Sequence, residues 1–189
     1  MTRNQWYHSP GVLTPKECVM LLKYCNKRYP SQPAVVGHGG QTRTDNQLRR
    51  STVRWLDFAD LDLLWFFRRI ERETLKANAT FGLDIQHAST EWQLTEYDSA
   101  DRGLYDWHQD SSELCKDPFE RKLTLVMQLT PPDKYEGGQF EIKGDQLPAN
   151  YFRNAGDLLF FRSNLWHRAT EVTQGKRHSL VSWIKGPRR

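Results

Sequence analysis

Sulfur is scarce in this chain. Cys18, Cys25 and Cys115 are its three cysteines, an odd number without a C-x-x-C pair. That excludes a disulfide framework or a four-thiolate zinc site and fits reduced thiols. Long apolar runs are missing too: no stretch approaches the roughly 20 residues needed to cross a bilayer, so no membrane partner is expected. The first residues, Met1 to His8, lack a basic segment followed by an apolar stretch and a small-residue cleavage site, and the expected location is cytoplasmic. There is no internal repeat, no low-complexity tract and no acidic excess. Lys and Arg number 27 against 23 Asp and Glu, a net charge of +4 that bears on association rather than on fold. Arg49, Arg50 and Arg54 form the one central basic cluster, and Arg188 and Arg189 end the chain. Most of these read as solvated surface, with Arg49, Arg50 and Arg54 also candidates to contact the acidic groups of a peptide. They are not interleaved with aromatics in a stripe, which argues against a nucleic-acid partner.

What is present suffices for one core. A hydrophobic content of 38% and an aromatic content of 12% in 189 residues predict a single domain over 1–189, with a helical part over about 1–80 and a sheet core over about 50–56 and 90–189. Thr14-Pro15-Lys16-Glu17 is a capping box with proline at the first helical position, so a helix is expected over 15–29, with Cys18 and Cys25 facing the core. Residues 31–47, rich in Gly, Gln, Thr and Asn, read as a mobile loop. A strand over 51–56 precedes a second helix from Asp60 to about Ala77, whose apolar residues Leu61, Leu64, Trp65, Phe67 and Ile70 recur at three and four. From Glu91 the period becomes two, with strands expected at about 91–98, 122–130, 138–143, 157–162, 167–172 and 177–185. The linker 98–106 reads as a second lid. Helices followed by strands predict an α+β, mainly β fold, and a jelly-roll double sheet accommodates the strand count, with the N-terminal helices packed on one sheet.

The chemistry concentrates in His108-Gln109-Asp110, His167 and Arg177. Two imidazoles and a carboxylate without a thiolate suit Fe(II), Mn or Zn, and can hold one face of an octahedral ion while leaving the other open. His108 and His167 lie too far apart for a local helical motif, so the site is tertiary: two strand ends must converge. Strand alternation puts Arg177, Ser179, Val181 and Trp183 on one face. Arg177 offers a carboxylate two parallel charge-assisted bonds, which a hydrolase of neutral substrates would not need, and this favours iron oxygen chemistry over hydrolytic zinc. Ser179, Tyr97 and Thr124 are further candidates to bind an acid cosubstrate. Trp107 is expected to point away, into the core. His8, His38, His87 and His178 lack a carboxylate or second histidine at comparable spacing, and Gly137-Gly138 reads as a turn.

The residues Arg50-Ser51-x-Val53-x-Trp55-Leu56, Tyr97, Tyr105-x-x-His108-x-Asp110, Pro132-Asp133-x-Tyr135-Glu136-Gly137-Gly138-x-Phe140, Gly156-Asp157-Leu158-Leu159-Phe160-Phe161 and His167-x-x-x-x-Val172-Thr173-x-Gly175-x-Arg177, with Trp183, run in a telling order. In that order the chain resembles the iron(II)- and 2-oxoglutarate-dependent dioxygenases, in their prolyl-4-hydroxylase-like branch and most of all the PKHD-type hydroxylases. The resemblance implies a cupin-like double-stranded β-helix, Fe(II) on His108, Asp110 and His167, 2-oxoglutarate held by Arg177, and O2 as second cosubstrate, with ascorbate as an accessory reductant. It implies hydroxylation of a prolyl or other side chain in a peptide or protein, coupled to decarboxylation of 2-oxoglutarate to succinate. Two departures stand out. Tyr105 follows Tyr97 by eight positions where the family spaces the pair by six, and Arg177 stands where collagen-type enzymes carry lysine, so a collagen-like substrate does not follow. The alternatives are a hydroxylase of a free amino acid or other small molecule, a non-catalytic jelly-roll binding module, and a nucleic-acid dealkylase. Nothing in the sequence fixes an oligomeric state.

Overall fold

The computed structural model describes residues 5–38, 41–86, 89–111, 117–144, 147–148 and 151–188; Cys115, His87, Arg189 and the side chain of His38 lie outside them. The chain begins with β1 (Trp6–Ser9), α1 (Pro15–Arg28), β2 (Gln32–Pro33), β3 (Val36–His38), β4 (Gln41–Arg43), β5 (Arg49–Arg50) and β6 (Thr52–Leu56). After α2 (Leu64–Phe81) come β7 (Trp92–Asp98), β8 (Leu104–His108), β9 (Phe119–Gln128), β10 (Tyr135–Gly137) and β11 (Phe140–Ile142). The chain closes with β12 (Leu158–Arg162), β13 (His167–Ala169) and β14 (Val172–Pro187). A major antiparallel sheet runs β1-β12-β9-β14-β7-β6-β2, with β10 also paired to β14, and a minor sheet runs β11-β13-β8-β5. This is the mainly β, double-stranded β-helix expected from the sequence.

Strand parity divides the major sheet into a dry face and a polar one. Trp92 and Leu94 on β7, Leu123, Leu125 and Met127 on β9, Leu158 and Phe160 on β12, and Leu180 and Ile184 on β14 join one apolar cluster with residues from both helices. The alternate residues Gln93, Thr95, Tyr97, Thr124, Gln128, Arg177, Ser179 and Ser182's neighbours Val181 and Trp183 belong to the other parity. Cross-strand pairs Arg177 with Tyr97, Ser179 with Thr95 and Gln128, and Trp183 with Thr124 keep that polar set in register.

The helices form where the caps dictate. Thr14 accepts from the Glu17 amide while the Glu17 carboxylate accepts from the Thr14 amide at 2.8 Å, satisfying two otherwise orphaned donors. Cys18 and Cys25 are buried in the apolar cluster, and burial pushes both thiols up to about 12, which makes them inert packing groups. In α2 the buried stripe is Phe66, Phe67, Ile70, Thr74, Ala77 and Phe81. Leu61, in a short 3-10 turn before the helix, is 82% exposed, and Leu64 is exposed as well. The expected stripe was thus rotated by about one residue, because the chain enters through the turn Leu61–Leu63 and α-helical phase begins only at Leu64.

Two more expectations need correction. Residues 31–47 are not one loop: β2 pairs with β6, and β3 and β4 form a separate hairpin. The linker 98–106 is also ordered. A 3-10 turn at Ser99–Asp101 takes up the longer Tyr97 to Tyr105 spacing, and β8 starts at Leu104. Gly103 makes the return possible, since a Cβ there would sit 2.8 Å from the Asp98 nitrogen and 2.9 Å from the Tyr97 Cα. Among the described residues no helix is long and apolar enough to cross a membrane.

Two stability tests follow from this packing. Phe66 is fully buried between α2 and the sheet, in edge contact with Trp92 at 5.3 Å, so Phe66→Ala should cost about 3–5 kcal/mol, read as a lower urea midpoint at unchanged slope. On the dry-face side, the Glu96 carboxyl is pulled down from 4.5 to about 2, first by the hydrogen bond from His178 at 2.9 Å, against burial, and then by Lys176. A depressed carboxyl contributes stability that is full above its unfolded pKa and is lost as pH falls through the folded one. Glu96→Gln should therefore lower the melting temperature at pH 7 and flatten the loss of stability between about pH 4.5 and 2, measured by thermal melts across that window.

Candidate metal centre and its cavity

Two neighbouring strands of the minor sheet deliver the metal ligands. His108 ends β8 and His167 begins β13, and the antiparallel register sets them directly opposite one another. Asp110 follows β8 in a turn fixed by its own amide and that of Ser111, both donating to the Ser163 carbonyl. The His108 Nε2 lies 3.7 Å from Asp110 Oδ1 and the His167 Nε2 lies 3.4 Å from Asp110 Oδ2. One ligand atom from each residue falls within 4.8 Å of the others, close enough for a single ion to touch all three.

The donor set is presented in the state a metal needs. Each imidazole turns its Nδ1 to a backbone carbonyl two residues earlier: His108 to Asp106 at 2.7 Å, and His167 to Leu165 at 2.9 Å. A carbonyl only accepts, so Nδ1 carries a proton in each ring and Nε2 is the atom turned toward the partner ligands. Burial, helped by repulsion from His167, lowers His108 to about 4, so this ring is neutral near pH 7. Asp110 is buried, and burial opposes its ionisation. His167, His108, Arg121 and the Thr124 hydroxyl outweigh that and hold the carboxyl below its ordinary value. Two imidazole Nε2 atoms with an ionised carboxylate and no thiolate fit a ferrous ion.

The other predicted residues fall into two groups. Thr124 lies beneath the metal ligands, where its hydroxyl donates to Asp110 Oδ2 at 2.8 Å and meets the Ser163 hydroxyl at 2.9 Å. Arg177, Tyr97 and Ser179 line the same cavity as the three ligands, a space of about 230 Å³. Arg177 is 2% exposed. Its Nε donates to Gln128 Oε1 at 3.1 Å and its guanidinium lies 5.5 Å from the centre of the Tyr97 ring. Among the described residues no carboxylate pairs with it. Gly138, at φ +58, leaves the room it needs, because a Cβ there would come within 3.0 Å of the Arg177 Cδ. Trp107 is not core: it is half-buried under the Arg168 guanidinium at 4.6 Å.

Sequence reasoning missed two side chains of this cavity and its edge, Gln128 and Tyr105, and offered Arg49 only within a basic cluster that could meet a peptide's acidic groups. Gln128 fixes Arg177 and is itself held through its amide nitrogen by the Tyr135 hydroxyl at 2.9 Å and the Thr130 carbonyl. Tyr105 stacks on His108, with ring centres 3.4 Å apart and planes 9° from parallel, and burial pushes its phenol up to about 12. Arg49 lies across Tyr105 from the histidine, 4.4 Å above that ring. The parity of β9 was the available signal for Gln128, since Thr124 and Gln128 are four apart on one strand. A second cavity of about 980 Å³ adjoins the first and shares Phe140 and Arg177 with it.

Comparison with known proteins bears on this arrangement. Residues 92–185 match the model of the 2OG-Fe(II) oxygenase superfamily. Among curated proteins, a PKHD-type hydroxylase from Teredinibacter turnerae is 34% identical over 86 residues, covering 44% of this chain and 38% of that protein. One from Parvibaculum lavamentivorans is 32% identical over 81 residues, covering 43% and 36%. The matched stretch thus spans well under half the length of these relatives. Solved structures share the fold over nearly the whole chain. A viral collagen prolyl hydroxylase from Paramecium bursaria Chlorella virus-1, in a 2OG complex, superposes with a TM-score of 0.70 at 18% identity, covering 97% of each chain. A Pseudomonas putida prolyl-4-hydroxylase gives 0.71 at 19%, covering 98% and 93%. A Trichoplax adhaerens prolyl hydroxylase, in complex with a hypoxia inducible factor peptide fragment, gives 0.70 at 16%, covering 96% and 83%. With its facing histidines, its buried aspartate and the match over residues 92–185, this chain belongs to the 2OG-Fe(II) oxygenase superfamily, and over that stretch it is similar to PKHD-type hydroxylases.

Proposed function

We propose that this chain is an Fe(II)- and 2-oxoglutarate-dependent dioxygenase that hydroxylates a C–H bond in a prolyl or other side chain of a peptide or protein. The reaction balances as substrate C–H, 2-oxoglutarate and O2 giving substrate C–OH, succinate and CO2. One observation carries the reading: a guanidinium buried to 2% exposure, without a carboxylate partner among the described residues, in the same cavity as a His-Asp-His cluster. A buried charge without a partner is destabilising by several kcal/mol, and an acid cosubstrate supplies the missing one. PKHD-type relatives and prolyl hydroxylase neighbours support the same chemistry. The larger adjoining cavity gives a peptide room beside the metal cavity, and the Trichoplax neighbour is itself bound to a peptide.

Iron held by His108, Asp110 and His167 would supply the oxygen-activating chemistry, which belongs to the cofactor rather than to the side chains. The chain's own residues do the positioning. Arg177, kept straight by Gln128, binds the far carboxylate of 2-oxoglutarate and so sets the direction in which the molecule enters the cavity. Tyr97, paired with Arg177 from β7, and Ser179, two residues along β14, are further polar contacts for that carboxylate. Thr124 acts through Asp110: its hydroxyl occupies one carboxylate oxygen and fixes the rotamer that faces both histidines. The stacked Tyr105 keeps the His108 ring in plane and shields that side of the ion from water.

Three measurements test this. The iron-loaded protein, given 2-oxoglutarate in air, should release succinate and should add one oxygen atom to a member of a panel of peptides and amino acids, read by mass spectrometry. A loaded protein that neither binds nor consumes 2-oxoglutarate would favour a binding module. Arg177→Ala should weaken 2-oxoglutarate binding by at least about 30-fold, the equivalent of a lost charge-assisted pair of roughly 2 kcal/mol, and leave metal affinity intact. Thr124→Val, which keeps the shape and removes the hydroxyl, should lower ferrous affinity about 10- to 100-fold while sparing 2-oxoglutarate binding once metal is saturating, as measured by competitive metal titration.

A further inference from the structure

The metal cavity contains a second buried guanidinium that the reaction above does not use. Arg49, on β5 of the minor sheet, is 7% exposed and lines the same space as His108, Asp110, His167 and Arg177. Its contacts are with neutral groups. Nε donates to the Ser51 hydroxyl at 2.9 Å and Nη2 donates to Gln93 Oε1 at 2.7 Å. Nearby arginines are satisfied differently: Arg121 pairs with Glu91 at 2.8 Å and Arg50 with Glu171 at 3.4 Å. Among the described residues no carboxylate reaches Arg49, and its Nη1 donates to nothing.

Its place relative to the metal is set by a stack of three. The Arg49 guanidinium lies 4.4 Å above Tyr105, which itself lies flat on His108. Arg177 enters from the other sheet, against Tyr97 and Gln128. A small diacid bound by Arg177, on the major sheet, would leave Arg49, on the minor sheet, open to a different molecule. A second unmet donor faces the cavity from the major sheet: the Trp183 indole Nε1 is buried with no acceptor among the described residues. Trp183 also lines this cavity. Two donors with open capacity, one of them a fixed planar cation, ask for an acceptor that is anionic, flat and small, which describes a carboxylate.

Building on the dioxygenase reading, we propose that Arg49 is a specificity residue that binds a carboxylate of the primary substrate, so that the hydroxylated group is presented beside an acidic one. The carboxylate can come from an Asp or Glu side chain next to the target in a peptide, or from the α-carboxylate of a free amino acid. Both have the same chemistry toward Arg49, and the test separates them.

The whole 189-residue chain is loaded with iron under argon, so that no turnover occurs, and titrated calorimetrically with and without 2-oxoglutarate. The probes are peptides with blocked termini carrying a central proline and one Asp scanned from two positions before to two positions after it, the same set with Asn for Asp, and free L-proline. At least one Asp peptide should bind about 10-fold tighter or more than its Asn counterpart, or L-proline should bind with the same dependence on Arg49. Arg49→Gln should erase that preference without changing 2-oxoglutarate affinity, and Arg49→Lys should restore part of it. Peptide preference with weak L-proline binding assigns the carboxylate to a side chain; the reverse assigns it to a free amino acid. Equal affinity for the Asp and Asn sets together with no Arg49-dependent binding of L-proline, or no binding of any probe, overturns the inference from the wild type alone, even if Arg49→Gln does not fold. So does a preference that persists in Arg49→Gln, or a 10-fold loss of 2-oxoglutarate affinity in that variant. Failure of 2-oxoglutarate to bind the wild type counts against the dioxygenase reading instead, and the titrations run without it still decide the role of Arg49.

Discussion

A guanidinium sealed from water with no acid beside it is the interaction on which the arrangement of this molecule turns. Arg177 could not be tolerated in an ordinary apolar sandwich core, where an unpaired cation would unfold the domain before a ligand arrived. It is tolerated because the face of the major sheet is polar around it, with Thr95, Gln128 and Ser179 on the same parity. Gln128 accepts from it, the Tyr97 ring lies beneath it, and Gln128 is in turn held by Tyr135 and the Thr130 carbonyl. The apolar burial that stabilises the fold is placed on the opposite face, where α1 and α2 cover Leu94, Leu125, Met127, Phe160 and Leu180. Separating the two faces lets one sheet serve as both core and binding wall.

The same separation explains how the two sheets divide the chemistry. The minor sheet contributes His108 and His167 as direct cross-strand neighbours, so their spacing is set by ladder geometry rather than by long side chains. The major sheet contributes Thr124, which reaches across to Asp110, and Arg177, which lines the same cavity as the three ligands. Apolar contacts of Val126, Leu159 and Phe161 with Ile142 and Phe152 join the sheets at the closed end of the sandwich. Phe161 also meets the His167 ring edge-on at 4.6 Å. The metal ligands are therefore braced by packing on one side and by hydrogen bonds on the other, which is what a preorganised centre requires.

Much of this was legible in the sequence, for reasons that differ from residue to residue. His108, Asp110 and His167 could be read together because their types and order carry the chemistry, and period-two alternation put Arg177, Ser179 and Trp183 on one face before any coordinates were considered. The capping box of α1 is local, and it formed as written. What depends on tertiary placement was harder. Thr124 reads equally well as a cosubstrate contact or as a support for Asp110, because strand parity gives its face and not its partner. The β3–β4 hairpin is short and polar, with no apolar alternation to mark it, and the phase of α2 depended on a 3-10 turn that leaves Leu61 in water. Both ring carbonyl partners lie two residues before their histidine, a local regularity that composition and period do not encode.

Charge around the cavity carries the argument one step further. Its walls include the guanidiniums of Arg49, Arg121 and Arg177 against the single carboxylate of Asp110. Arg121 is neutralised from outside by Glu91 and lies on the Trp183 ring at 3.8 Å, so its charge is already spent on the fold. Two cations remain, and a divalent metal would add to them. A site of that sign and low dielectric excludes cationic ligands and draws anions, and its two guanidiniums are anchored to different sheets. One dianionic cosubstrate can answer one of them along with the metal. The charge that is left over then falls on whichever molecule comes second, which makes the identity of the primary substrate a question of electrostatics before it is one of shape.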